Sequence, residues 1–264
     1  MPTLPENALN GDNGKQIISN FFKNHNIIHL LKQCGAHKQK GISVGVTLQM
    51  IFSALFTGKS LHRCLDYDPG HLIKKDTVYR LLNLPSIDWT RFLLTLSQQV
   101  IGKILPLTSE NRRSVFIIDD SFYDRSRSRK TELLSRVYDH ARHIYGYGYR
   151  LLTLGWSDGN TFIPVNFCLM SSQNPSKRLV EAHEHAYAAA RSRREMAIQY
   201  APDTTIALLE QAKRAGIQAS HVLVDSWFSF PSFILRVSAL GYHCVAMVKK
   251  SQKIYYEFEG YDNR

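Results

Sequence analysis

The run Val115-Phe116-Ile117-Ile118-Asp119-Asp120-Ser121 sets the architecture. Its four apolar residues are too few for a helix. Three of them are β-branched, so they suit a short strand buried on both faces. A second run of the same build lies far downstream, His221-Val222-Leu223-Val224 followed by Asp225-Ser226-Trp227. Both strands are read as ending in acids. In open α/β sheets, ligands gather outside the carboxyl ends of the strands. Carboxylates delivered there by neighbouring strands suit hard divalent cations. Two such cations stabilise the attacking and leaving oxygens of an in-line displacement at phosphorus. Successive strand residues face opposite ways, so Asp119 and Asp120 do not both face such a site unless the strand bends. The plainer role of each aspartate is to cap a turn or a helix.

Outward from these strands the pattern stays α/β. Residues 150–156 and 161–169 alternate like strands around Ser157-Asp158-Gly159-Asn160, whose Asp-Gly pair signals a hairpin. Residues 176–200 are polar and helix-permissive. Asp203 is read as the cap of a helix over 204–215, which Gly216 ends. A helix follows over 231–240, with Pro231 in its first turn, and then a strand over 242–248. The order strand, hairpin, helix, strand, helix, strand predicts a mixed sheet with helices packed on it.

Upstream, residues 15–105 have helical periodicity. Ile17, Ile18, Phe21 and Phe22 open it, and residues 44–56 form an apolar helix. Ser60 caps a short helix to Leu65, Asp76 caps one over 77–82, and residues 88–105 form the last. The expected division is a lead-in over 1–13, a helical domain over 14–110 and an α/β domain over 111–264. Residues 61–82 read as a helix-turn-helix, with Lys74, Lys75, Tyr79 and Arg80 toward DNA.

Composition narrows the partners. The 264 residues are 44% hydrophobic and carry a formal net charge of +11, which favours a polyanion such as nucleic acid. Cys34, Cys64, Cys168 and Cys244 form no CxxC pair and read as buried thiols in a reducing compartment. No signal-peptide pattern opens the chain, and its apolar runs are too short to span a bilayer, so a cytosolic protein without membrane contact is expected.

Four segments together resemble a known family. They are Phe116-Ile-Ile-Asp-Asp-Ser121, Arg136-Val-Tyr-Asp-His140, the hairpin around Trp156-Ser-Asp-Gly159, and Val222-Leu-Val-Asp-Ser-Trp-Phe228. In this order they look like DDE transposases of bacterial insertion sequences. The similar branch has a β-rich insertion between its second and third acids and a YREK signature on its last catalytic helix. The resemblance implies an incomplete ribonuclease-H-like sheet preceded by an all-helical DNA-binding domain. It implies Asp119 and Asp225 as the first and second catalytic acids and metal ligands, with Asp120 the alternate to Asp119. It further implies Mg²⁺ or Mn²⁺, double-stranded DNA (element ends and target), a homodimer in a synaptic complex and a nucleoid location. The third acid departs from the pattern. Only Glu257 and Glu259 follow Asp225, in a stretch that alternates like a strand. Glu259 is the nominal third acid, yet the expected reading is a C-terminally truncated, inactive chain that stops within or before the insertion. The alternative is a non-catalytic DNA-binding remnant that occupies element ends.

Basic residues supply the remaining expectations. Arg125, Arg127, Arg129 and Lys130 follow the first acid, and Lys249 and Lys250 follow the last strand; all are read as phosphate contacts. Asp139, His140 and His143 have metal-like spacing on one helix, but a structural role is the preferred reading. Trp227 and Phe228 are read as packing beneath the site.

Overall fold

The computed structural model describes residues 12–38, 40–56, 60–66, 73–184, 186–247, 256–258 and 261–263. Contacts divide the chain into two units. One holds Met1–Val100 and His185–Arg191, the other Ile101–Glu184 and Ser192–Arg264.

The first unit is helical. Its elements are α1 (Asp12–Asn24), α2 (Ile27–Gln33), α3 (Val44–Leu55), α4 (Leu61–Asp66), α5 (Lys75–Leu82) and most of α6 (Trp89–Ile104). Leu31, Ala36, Val44, Leu81 and Ile87 form one buried cluster, while Ile18, Phe22 and Ile27 form another. Phe52 joins the second by stacking on Phe21 at 5.7 Å. The Ser43 hydroxyl caps α3 by accepting from the Val46 amide, and the Asp88 carboxylate accepts from the Arg91 amide at the start of α6. Asp76 does not cap α5. The helix begins one residue before it, so its carboxylate sits in the first turn, where the helix dipole still favours it.

The second unit is built on a six-stranded mixed sheet. Its strands are β1 (Val115–Asp124), β2 (Ser135–Asp139), β3 (Ile144–Ser157), β4 (Phe162–Met170), β5 (His221–Val224) and β6 (His243–Ala246). The order is β2-β3-β1-β5-β6, with β4 also on β3. β1 runs antiparallel to β3 and parallel to β5, and β5 runs parallel to β6. An antiparallel meander flanked by two parallel strands is the ribonuclease-H-like arrangement. The helices of this unit are the end of α7 (Ala188–Ala197), α8 (Ala201–Arg214) and α9 (Pro231–Ala239). A separate hairpin joins β7 (Tyr256–Phe258) to β8 (Tyr261–Asn263). Among the described residues, no helix is long and apolar enough to cross a membrane.

The register assigns each side chain to a face. Phe116 lies opposite Trp156, Ile118 opposite Leu154 and Asp120 opposite Leu152. This face is closed: Phe116, Trp156, Leu152, Leu154 and Val222 are fully buried. Helix α8 packs on β3 and β4, burying Thr204, Thr205, Leu208, Leu209 and Ala212. The Trp156 indole donates to the Gln218 carbonyl at 3.0 Å, so even its one polar group is satisfied.

Several sequence expectations need correction. β1 does not stop at residue 118 but continues to Asp124, because β3 pairs with it over its whole length. β3 likewise begins at residue 144, and β2 forms where a helix bearing Asp139, His140 and His143 was expected. Asp139 closes β2, and its carboxylate accepts from the Ala141 and Arg142 amides, so it shapes the turn. Asp203 lies inside the first turn of α8; Tyr200 takes the cap position, and Pro202 suits the helix start. At Gly159 φ is +84°, the left-handed value the Asp-Gly turn demands.

Candidate active site

Extending the β1–β5 register assigns Asp119 and Asp225 to one face of the sheet. The β1–β5 ladder ends at Ile117 opposite Leu223. Two further steps along that register set Asp225, the residue after β5, beside Asp119. Val222 and Val224 point into the closed face, which leaves Asp225 for the other. Both aspartates are exposed. The Asp119 carboxylate accepts from the Ser121 hydroxyl at 2.5 Å. One Asp225 oxygen accepts from the Trp227 amide at 2.9 Å, fixing the turn that follows β5. The capping role open to any aspartate is therefore present here, on one oxygen. Hard divalent cations take carboxylate and hydroxyl oxygens, and these two side chains supply that chemistry.

Asp120 faces the opposite way. Its carboxylate forms a two-point ion pair with Arg150, whose Nε donates at 3.3 Å and whose Nη2 makes the closer contact. The same guanidinium lies 4.7 Å from the Trp227 ring centre. Asp120, Arg150 and Trp227 thus tie β1, β3 and the turn carrying Asp225 together. Arg150 went unnoticed in the sequence because nothing local distinguishes it; its partner is thirty positions away in a neighbouring strand. Phe228 is buried and contacts Phe233, as packing predicts.

The basic residues fall in several places. Arg125 lays its guanidinium 4.4 Å over the Tyr123 ring, while Arg127, Arg129 and Lys130 are exposed in the following loop. In the helical unit, Lys74 and Arg80 are exposed; Lys75 contacts the His62 imidazole, and Tyr79 is half-buried. Lys249, Lys250 and Glu259 lie outside the described residues, and Glu257 lies within β7. Among the described residues, no group of three or more His, Cys, Asp or Glu is arranged to hold a metal ion.

Two further ionisable groups of the sheet are shifted by their surroundings. Burial pushes the Tyr149 phenol up to about 12, and its hydroxyl donates to the Glu132 carbonyl at 2.5 Å. Glu132 in turn takes both arms of Arg194. Burial also acts to raise the Asp158 carboxyl, but bonds from the Thr161 amide, the Thr108 hydroxyl and the Asn160 amide outweigh it. They leave the group below its ordinary value.

The geometry can be set beside known proteins. No curated protein matches the chain. The family model described as DDE superfamily endonuclease matches residues 54–264, which takes in both aspartates and the whole sheet. The chain belongs to the DDE superfamily of endonucleases.

Proposed function

We propose that this chain carries the DNA-cleaving core of an insertion-sequence transposase of the YREK branch, working on chromosomal DNA in the cytoplasm. The observation that carries this reading is the placement of two exposed aspartates, Asp119 on β1 and Asp225 directly after the parallel neighbour β5, where the extended register sets them on one face. In it, Asp119 and Asp225 hold Mg²⁺ or Mn²⁺, which would supply charge neutralisation at phosphorus and lower the pKa of a water. The two carboxylates act as ligands, and Ser121 orients one of them. Trp227 and Arg150 hold the turn that presents the other. Residues 14–110 form a DNA-binding domain, with Lys74, Lys75, Tyr79 and Arg80 near the duplex. Residues 111–264 form the catalytic part, and two copies meet in the synaptic complex.

A third carboxylate completes such a site in the family this chain resembles. Among the described residues no third His, Cys, Asp or Glu joins this pair, so Asp119 and Asp225 by themselves are expected to bind metal weakly and not to support nicking. The test is a nicking assay on terminal-repeat DNA with Mn²⁺, comparing this chain and its Asp225→Ala variant with a form extended past Arg264 by the YREK helix. Nicking only by the extended form, lost on Asp225→Ala, supports the reading. Robust nicking by the 264-residue chain would instead assign the third role to Glu257 or Glu259. Specific binding with no nicking by any form would favour a remnant that occupies element ends.

A further inference from the structure

We propose that the β2–β3 ribbon and the tail of β1 form a platform for unpaired nucleotides of the DNA strand beside the cut. The proposal rests on DNA being the substrate of the Asp119–Asp225 site. The register carries the face bearing Asp119 onward along the sheet. Ser121 and Tyr123 follow on β1; across the ladder, Tyr123 pairs with Tyr149. Tyr147 and Tyr145 continue that face on β3, opposite Arg136 and Tyr138 of β2. The platform thus lies on the same face as the acids, beyond the carboxyl end of β1.

Its surface is a run of rings and guanidiniums. The Tyr138 ring lies 5.0 Å from Tyr145 and 4.9 Å from His140. Arg136 sits 4.3 Å over Tyr145, and Arg125 sits 4.4 Å over Tyr123. Tyr145 is nevertheless 61% exposed. The reverse of the ribbon is packed: Val137 is buried, and a Cβ on Gly146 would meet the Phe122 ring at 2.8 Å. One side of the ribbon thus packs against the protein, while on the other Tyr145 is exposed and Tyr138 and Tyr147 are half-exposed.

Charge selects the partner. Arg125 and Arg136 lie against the rings, and Arg127, Arg129, Lys130 and Arg142 are exposed in the loops that adjoin β1 and β2. The nearby acids are engaged: Asp124 with the Ser126 amide, Glu132 with Arg194, Asp139 with its own turn. Phosphates suit the guanidiniums, and open rings suit base faces, which only unpaired nucleotides expose. Along β3 the distance from the level of Asp119 to Tyr145 is at most about 27 Å, at ~3.4 Å per residue. That corresponds to a strand of roughly eight stacked nucleotides.

The test is anisotropy of the full chain with a labelled oligothymidine of about 12 nucleotides and with a blunt duplex of equal length. The Tyr138→Ala/Tyr145→Ala pair should weaken oligothymidine binding by about tenfold or more, since each stacked base contributes ~1 kcal/mol or more. Duplex binding should change by less than about twofold. The Tyr138→Phe/Tyr145→Phe pair keeps the rings and should bind like the parent, which separates lost stacking from misfolding. Unchanged oligothymidine binding in the alanine pair overturns the platform, as does an equal loss on duplex or an equal loss in the phenylalanine pair. Asp119→Asn should retain oligothymidine binding. Strand binding without nicking in the extended form would therefore defeat the catalytic reading and leave the platform standing.

Discussion

Asp119 and Asp120 are neighbours in sequence and opposites in structure. Asp120 enters the closed face of the sheet and is neutralised by Arg150, which leans on Trp227. Asp119 leaves by the other face, exposed, and its carboxylate accepts from the Ser121 hydroxyl. The difference comes from one step of strand alternation. It teaches that the identical side chain stabilises the fold on one face and is free for chemistry on the other.

The largest effect is expected deepest in the closed face. Trp156→Ala removes a fully buried indole and strands the Gln218 carbonyl that accepts its N–H. Loss of stability should be about 3–5 kcal/mol by chemical denaturation. A loss under about 1 kcal/mol would mean that this face is not the core. Next comes Asp120→Ala, which leaves the Arg150 guanidinium partly buried without its carboxylate. A cost of about 1–3 kcal/mol is expected. The partner variant Arg150→Met should restore part of it, because it removes the stranded charge. No recovery in the double variant would show that Arg150 acts mainly through Trp227.

These faces also explain what the sequence disclosed. Val115–Ile118 and His221–Val224 were legible because both faces of each are at least partly covered, which forces an unbroken apolar run. The continuation of β1 through Asp119 to Asp124 was not, since its residues are polar or half-exposed and β3 alone holds them extended. β2 was hidden for a related reason. Arg136 and Tyr138 face solvent, so only Val137 signals burial, and the His140–His143 spacing suggested a helix. Asp119 and Asp225 stood out in the sequence as acids that each follow an apolar run, although β1 continues past the first of them to Asp124. Which of Asp119 and Asp120 joins Asp225 depended on a ladder register between segments about a hundred residues apart.

A smaller effect is expected at Asp158, the buried acid of the hairpin turn. Its folded carboxyl lies below the ordinary value, since donors from Thr161, Thr108 and Asn160 outweigh its burial. The stability it adds is therefore present above the unfolded pKa of about 3.9 and is lost as pH falls through the lower folded value. Asp158→Asn should destabilise by about 1 kcal/mol at neutral pH, the usual gap between charge-assisted and neutral bonds. The gap to the parent should close as pH falls through the lowered folded value. A gap that persists undiminished in acid would assign the loss to altered turn geometry rather than to charge.

The smallest effect on stability is expected at Asp119, and there the contrast between the faces is tested most directly. Its carboxylate is exposed and, among the described residues, bonds to Ser121 alone, so Asp119→Asn removes no buried contact or ion pair among them. Without metal, the variant should match the parent within about 0.5 kcal/mol or exceed it slightly. Manganese should then separate them. A ligand bound only by the folded state stabilises it by RT ln(1 + [L]/Kd), about 1.4 kcal/mol at ten times the dissociation constant. The parent's melting temperature should rise as Mn²⁺ is added, and that of Asp119→Asn should stay flat. Asp120→Ala, destabilised from the start, should keep the parent's rise. If Asp120→Ala lost the response and Asp119→Asn kept it, the two acids would have exchanged roles, and β1 would have to bend at residue 119 to bring Asp120 to the open face.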